Sequence, residues 1–313
     1  MVIDLLLVAA GLALLLLAGD FLVRGAVNLA LRLGIPAMMV GMTVVAFGTS
    51  APELLVSVQA VLAGAGGLAL GNVVGSNIAN ILLVMGAPAL IAPVLLERES
   101  KRDFVIMIAA TLLFIALAFT GTIGLWQALV LLAAFALFMG DSIIRGRRER
   151  VALDDLEGAD PNLQGPKIAG LLALGLIGLP LGAQLLVTGA VDIAEALGVS
   201  DVVIGLTIVA IGTSLPELAT TLMAALRREG GVALGNILGS NIFNLLLILG
   251  VAGLFGQMSV PAEMLRLDLW MMLAAALILA PFIWTGRPLG RVLGLALLFA
   301  YATYLVVLFN TGG

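Results

Sequence analysis

Ten apolar stretches, each long enough to cross a bilayer, follow one another along the chain at residues 3–31, 37–62, 68–94, 104–120, 124–143, 168–196, 202–226, 232–256, 268–284 and 289–309. The bilayer core offers no water to backbone N–H and C=O groups, so segments of this kind satisfy their hydrogen bonds internally, as helices. Of the 313 residues 62% are apolar and 11% charged, which leaves no room for a large water-soluble domain. The expected fold class is an all-α membrane protein with ten transmembrane helices. The first run has almost no charged preamble and continues past Asp20 and Arg24, so it reads as a retained span and not as a cleaved signal peptide. With the N-terminus outside, fourteen of the 15 Lys and Arg residues fall in inner loops and Arg266 alone falls outside. Both termini are therefore expected on the non-cytoplasmic side of a prokaryotic inner or plasma membrane.

The chain has no Cys and no His, which removes disulfides, thiolate chemistry, imidazole ligation and His-based acid–base catalysis together. Any metal must be held by oxygen. A net charge of −4 is too small to point to nucleic acid, and no obligate protein partner is evident. The expected partners are the lipid bilayer and small ions, with no cofactor.

The chain repeats itself. Residues 41–54 (GMTVVAFGTSAPEL) match 205–218 (GLTIVAIGTSLPEL) at ten of fourteen positions, and 71–80 (GNVVGSNIAN) match 235–244 (GNILGSNIFN) at seven of ten, both with an offset of 164. The offset carries five spans, an odd number, so each element of the second copy should cross the bilayer opposite to its partner. The expected organisation is a first repeat at 1–144, a charged cytoplasmic linker at 145–166 containing Pro161 and Pro166, and a second, inverted repeat at 167–313.

Most acidic residues lie in loops or near span ends; Glu53 and Glu217, repeat equivalents, sit well inside spans. A charge at the bilayer centre costs about 2.5–3.5 kcal/mol even on lenient scales, and no Lys or Arg lies at a matching depth. The missing positive charge is most simply a bound cation, or a proton shared by the pair. Pro52 and Pro216 precede the two glutamates and deprive the carbonyls of Gly48 and Gly212 of their helical partners, so each helix should break there. Thr49 and Thr213 lie four residues before the acids, on the same face if the helix persists, with Ser50 and Ser214 beside them. One such motif would read as an ordinary proline kink; two carrying the same acid read as halves of a site. In the following spans Asn72, Ser76 and Asn80, and again Asn236, Ser240 and Asn244, recur every four residues as a polar stripe. The neighbouring Gly71, Gly75, Gly235 and Gly239 are explained by helix packing, while Asn77 and Asn241 could serve either purpose. Hard oxygens alone suit Na⁺ or Ca²⁺, and one Ca²⁺ neutralises two carboxylates.

These residues resemble the two α-repeats of the cation/calcium antiporter superfamily, in which Gly-Thr-Ser-X-Pro-Glu is followed by Gly-Asn-X-X-Gly-Ser-Asn. The resemblance implies a central site between the second, third, seventh and eighth spans. Glu53 and Glu217 would be its charged metal ligands, with Thr49 and Thr213. Ser50, Ser214, Ser76, Ser240, Asn80 and Asn244 match further oxygen-donor positions, and the carbonyls of Ala46 and Ala210 would join them. It also implies transport by sliding of the first and sixth spans over the rest. Sodium/calcium exchangers of this superfamily typically carry Asp at one of the positions of Asn80 and Asn244; Asn at both leaves ion stoichiometry open. The functional expectation is a non-enzymatic secondary antiporter exchanging Ca²⁺ for Na⁺ by alternating access. A Ca²⁺/H⁺ antiporter is the alternative, a cation channel ranks below it, and an intramembrane carboxylate hydrolase ranks last because acids on broken helices among Thr and Ser suit coordination better.

Overall fold

Helix after helix forms wherever an apolar run is uninterrupted, and glycine, proline or a charged cluster marks each stop. A computed structural model describes residues 2–94, 100–148, 160, 162–197 and 210–311. The start of the expected seventh span, including 205–209 of the repeated motif, and most of the expected linker lie outside the described residues. In chain order the helices are α1 (Val2–Leu33), α2 (Ala37–Thr49), α3 (Ala51–Leu62), α4 (Gly66–Ile91), α5 (Lys101–Ala118), α6 (Leu125–Arg148), α7 (Gly165–Ala196), α8 (Ala210–Gly212), α9 (Leu215–Leu226), α10 (Gly230–Phe255), α11 (Met264–Thr285) and α12 (Arg291–Thr311). Seven of them are long and apolar enough to cross a membrane, or eight if the bent pair α2 and α3 is counted as one span. Helix α5 opens on Lys101, Arg102 and Asp103, and α9 is apolar but short.

Turns recur at the repeat spacing. Gly64 ends α3 with φ +77°, and its counterpart after α9 is Arg228, at φ 62° the only described non-glycine residue in the left-handed region. Two short antiparallel contacts also correspond. Strand β1 (Thr122–Ile123) pairs with β2 (Met258–Ser259) through Ile123 and Met258, and an isolated bridge joins Val94 to Leu289. Val94 lies 164 residues before Met258, whereas Ile123 and Leu289 are 166 apart, so the register of the two copies drifts toward their ends.

Polarity runs inside out relative to a water-soluble protein. Large apolar side chains such as Leu17, Leu137, Ile177, Val292 and Phe299 are exposed, while Asn236, Asn244, Ser240, Thr49 and both glutamates are buried. Helices α4 and α10 form the centre: 72% and 83% of their spanning windows are buried, against 22–33% for α1, α6, α7, α11 and α12. Helices α1 and α7 lie together outside this centre along a seam of small residues. A Cβ on Gly11 would fall 2.5 Å from the Leu186 nitrogen and one on Gly182 would fall 2.9 Å from the Leu15 nitrogen, so the backbones are in direct contact. Further along the seam, Gly175 meets Leu22 and Gly189 meets the Asp4 carbonyl.

The expected linker starts at residue 145, but α6 continues to Arg148. The reason is an ion-pair network. Arg145 pairs with buried Asp103 on α5 and with Asp141 one turn back, and Arg102 also reaches Asp141, so the charges stay on the helix instead of starting a loop.

Candidate cation site

Each proline-glutamate pair restarts a helix. In the first copy α2 ends at Thr49 and Ser50 leaves the helix at φ −85°, ψ 6°. Helix α3 then begins with Pro52 in its first turn and a 44° bend from α2. In the second copy Ser214 does the same at φ −89°, ψ 4° between α8 and α9. Proline in the first turn loses no hydrogen bond, because the first amides of a helix have no intrahelical acceptor. The glutamate that follows then sits at the positive end of the new helix dipole. The local sequence thus explains both the break and the acid at its far side.

The two copies meet at this point. Glu53 and Glu217 are 1% and 0% exposed. Ser50 Oγ of the first copy donates to Glu217 Oε1 of the second at 3.1 Å. Thr49 Oγ1 donates to Asn236 Oδ1 on α10 at 3.2 Å and more weakly to the Ala46 carbonyl at 3.3 Å. That carbonyl also accepts from the Ser50 amide at 3.0 Å, so both its lone pairs are engaged within the protein. Ser76 on α4 and Ser214 at the second break are buried, Thr213 is half-buried, and Ala210 opens α8.

The asparagines divide into two kinds. Asn72 donates to Ser57 Oγ at 3.0 Å and to the Glu53 carbonyl at 3.4 Å, and Asn236 donates equivalently to Thr221 Oγ1 at 3.1 Å and the Glu217 carbonyl at 3.4 Å. These two strap the restarted helices α3 and α9 to α4 and α10. Asn80 Nδ2 donates to Asn241 Oδ1 at 3.2 Å and Asn244 Nδ2 to Asn77 Oδ1 at 3.3 Å, linking α4 to α10 twice. Both Asn80 and Asn244 begin or sit within π-helical turns, Asn80–Val84 and Phe243–Ile248, a distortion common where a helix carries a functional group.

What remains without a hydrogen bond is informative. Among the described residues seven buried side-chain oxygens lack one. Six are Glu53 Oε2, Glu217 Oε2, Asn80 Oδ1, Asn244 Oδ1, Ser214 Oγ and Ser240 Oγ, and the seventh is Ser142 Oγ on α6. All six belong to the residues singled out by the repeats. Bare acceptor oxygens in a dry interior are costly, and they are what a hard cation needs. Among the described residues no Lys or Arg pairs with either glutamate, and no group of three acidic residues occurs, so two carboxylates carry the charge. Asn77 and Asn241 are undecided from the sequence, and the spacing of four sets Thr49 on the face of Glu53 only; the contacts that place all three come from helices more than a hundred residues away.

The family model described as sodium/calcium exchanger protein matches residues 3–143 and 167–310, on both sides of the charged segment. The chain belongs to the sodium/calcium exchanger family. It is 40% identical to the putative antiporter CaxA of Alkalimonas amylolytica, over 99% of this chain and 100% of that one. To the sodium/calcium exchanger MaX1 of Methanosarcina acetivorans it is 36% identical, over 98% and 99% of the two chains. A structure of the sodium-calcium exchanger NCX_Mj soaked with Na⁺ and Sr²⁺ superposes on this exchanger-family chain with TM-score 0.84 at 33% identity, covering 98% of each. The family is one of membrane transporters and not of enzymes, as expected from the residues.

Proposed function

We propose that this chain is a secondary active antiporter that exchanges Ca²⁺ for Na⁺ at one central site, alternately open to the two sides of the membrane. The observation that carries the reading is that Glu53 Oε2, Glu217 Oε2, Asn80 Oδ1 and Asn244 Oδ1, two from each copy of the repeat, are all buried without a hydrogen-bond partner. Glu53, Glu217, Thr49 and Thr213 are the proposed metal ligands, with Ser50, Ser214, Ser76, Ser240, Asn80, Asn244 and the carbonyls of Ala46 and Ala210 as further oxygen donors. For Ala46 this requires exchange of one existing hydrogen bond. Two carboxylates balance one Ca²⁺, and its departure leaves a site that Na⁺ can neutralise, so the two ions compete and their fluxes couple.

The proposed architecture is ten transmembrane helices in two inverted repeats, 1–144 and 167–313, joined by a cytoplasmic segment, in an inner or plasma membrane with both termini outside. The α2–α3 and α8–α9 breaks make the second and seventh spans, and α5 makes the fourth. The seam of glycines between α1 and α7 supports their movement as one unit against the centre. The names of MaX1 and NCX_Mj, both sodium/calcium exchangers, agree with Ca²⁺ and Na⁺ as the cargo, and that of the putative antiporter CaxA agrees with antiport.

The test is uptake of calcium-45 into proteoliposomes holding the full chain. Sodium-loaded vesicles in sodium-free buffer should accumulate Ca²⁺, and collapse of the sodium gradient should stop it. Uptake that ignores sodium and follows an opposing pH gradient would replace the proposal with Ca²⁺/H⁺ exchange. A second experiment addresses the charge count: Asn244→Asp adds a third carboxylate to a site that has two, and is expected to leave the protein folded while changing its Na⁺ against Ca²⁺ preference or introducing a new pH dependence of flux. An unchanged ion preference at all pH values would place residue 244 outside the coordination shell.

A further inference from the structure

Only one end of an asparagine amide helps a cation, and the side chains that decide which end faces the site lie outside its ligand set. Asn80 and Asn244 each have their Nδ2 tied to another asparagine and their Oδ1 without a hydrogen bond. An asparagine tether does not by itself fix this polarity, because a pair of asparagines can flip together and exchange donor for acceptor. The second contact of each tether breaks the tie. Asn77 Nδ2 lies 3.7 Å from Met272 Sδ on α11, and Asn241 Nδ2 lies 3.6 Å from Met107 Sδ on α5. A thioether accepts and has nothing to donate. With either tether flipped, its oxygen would meet sulfur lone pairs, its NH₂ would face the next asparagine, and that residue would present NH₂ to the site.

We propose that Met107 and Met272 are positioning residues that, through Asn241 and Asn77, hold the amide oxygens of Asn80 and Asn244 toward the bound cation. The proposal rests on the cation site assigned above and extends it to two helices that supply no ligand. Both methionines are buried, at 0% and 2% exposure. They are not equivalent under the 164-residue offset. That offset pairs Met107 with half-buried Met271, and Met272 with half-buried Ile108. The two methionines are 165 apart, between the 164 that separates Val94 from Met258 and the 166 that separates Ile123 from Leu289, so with the drift in register each copy makes the same sulfur contact.

The test uses the full chain, reading half-saturating Ca²⁺, maximal flux in proteoliposomes and melting temperature without cation. Met107→Leu and Met272→Leu keep apolar bulk and remove the acceptor. Each is expected to raise half-saturating Ca²⁺ about threefold to tenfold, the scale of one modest hydrogen bond, with maximal flux and melting temperature near wild type. Met272→Gln, whose amide can flip together with Asn77, should recover the affinity only in part. In an Asn77→Leu background Met272→Leu should cost nothing further, because the tether it acts through is gone. Leucine variants with wild-type affinity, or with lowered melting temperature and no affinity change that glutamine restores, would overturn the relay. Glu53→Gln measured in parallel separates the two readings: its loss of Ca²⁺ response beside unaffected leucine variants removes the relay alone, while an unaffected Glu53→Gln removes the site as well.

Discussion

Glu53→Gln and Glu217→Gln are each expected to abolish Ca²⁺ flux and Ca²⁺-dependent thermal stabilisation, yet to leave the cation-free protein as stable as the wild type or more so. The two effects have opposite signs because, on the proposed site, the carboxylates would serve the ion and not the fold. In the cation-free state each glutamate presents a buried oxygen, Glu53 Oε2 or Glu217 Oε2, with no protein donor, and no arginine or lysine among the described residues pairs with it. Replacing such a group by a neutral amide removes the cost of desolvating a buried charge. With Ca²⁺ present the balance reverses. Deleting one partner of a buried charge pair costs about 3–5 kcal/mol, which is roughly a hundredfold or more in affinity. A ligand at 100 times its dissociation constant stabilises the folded state by about 2.7 kcal/mol, so melting curves with and without Ca²⁺ should separate for the wild type and coincide for either variant. A glutamine variant that still shifts with Ca²⁺, or that unfolds without it, would show that the acid is structural.

The acids were legible in the sequence because an ionisable residue, a proline and a glycine in the middle of an apolar run each carry a penalty, and their joint recurrence leaves few explanations. The helix breaks followed from Pro52 and Pro216 directly. The side-chain directions did not. A spacing of four places Thr49 over Glu53 only on a continuous helix, and the interruption at Ser50 turns Thr49 toward Asn236 instead. The π-helical turn at Gly41–Val45 has no local signature; it lies where Gly41 meets the backbone of Val232 on α10. Met107 and Met272 read as ordinary lipid-soluble core, and nothing in their neighbours announces an amide reaching them from another helix. What the sequence encodes locally is which groups are out of place in lipid. Which of them touch is decided by how the helices cross, and α10 meets α2 through Gly235 and Gly239, whereas Gly71 and Gly75 on α4 have open space beside them.

Gly239→Ala tests that contact and is expected to lower both the melting temperature and Ca²⁺ affinity, whereas Gly140→Ala should lower neither. A Cβ on Gly239 would lie 2.4 Å from the Met42 carbonyl oxygen and 2.7 Å from the Ala46 Cβ. Ordinary contact needs about 1 Å more, and the obstacle is main chain, so α2 must retreat from α10. Overpacking of this kind costs typically about 1–3 kcal/mol of stability. The functional loss should exceed it, because Gly239 lies between Asn236 and Ser240 on α10 while α2 carries Ala46, Thr49 and, at its end, Ser50. The Thr49 to Asn236 bond at 3.2 Å and the Ser50 to Glu217 bond at 3.1 Å join these helices and the acid across the site, and a retreat of α2 stretches both. Gly140 on α6 has nothing within 4 Å of a built Cβ, so the same methyl there meets open space and controls for the change of residue alone. Thermal unfolding in detergent and half-saturating Ca²⁺ in vesicles read the two consequences separately. A Gly239→Ala protein that melts low but binds Ca²⁺ normally would mean that the site tolerates movement of α2. One that melts and binds like the wild type would mean that α2 does not bear on α10 at all. If the site is assembled by this contact, affinity falls with stability, since the oxygen donors of the first copy reach Glu217 only as far as α2 can approach.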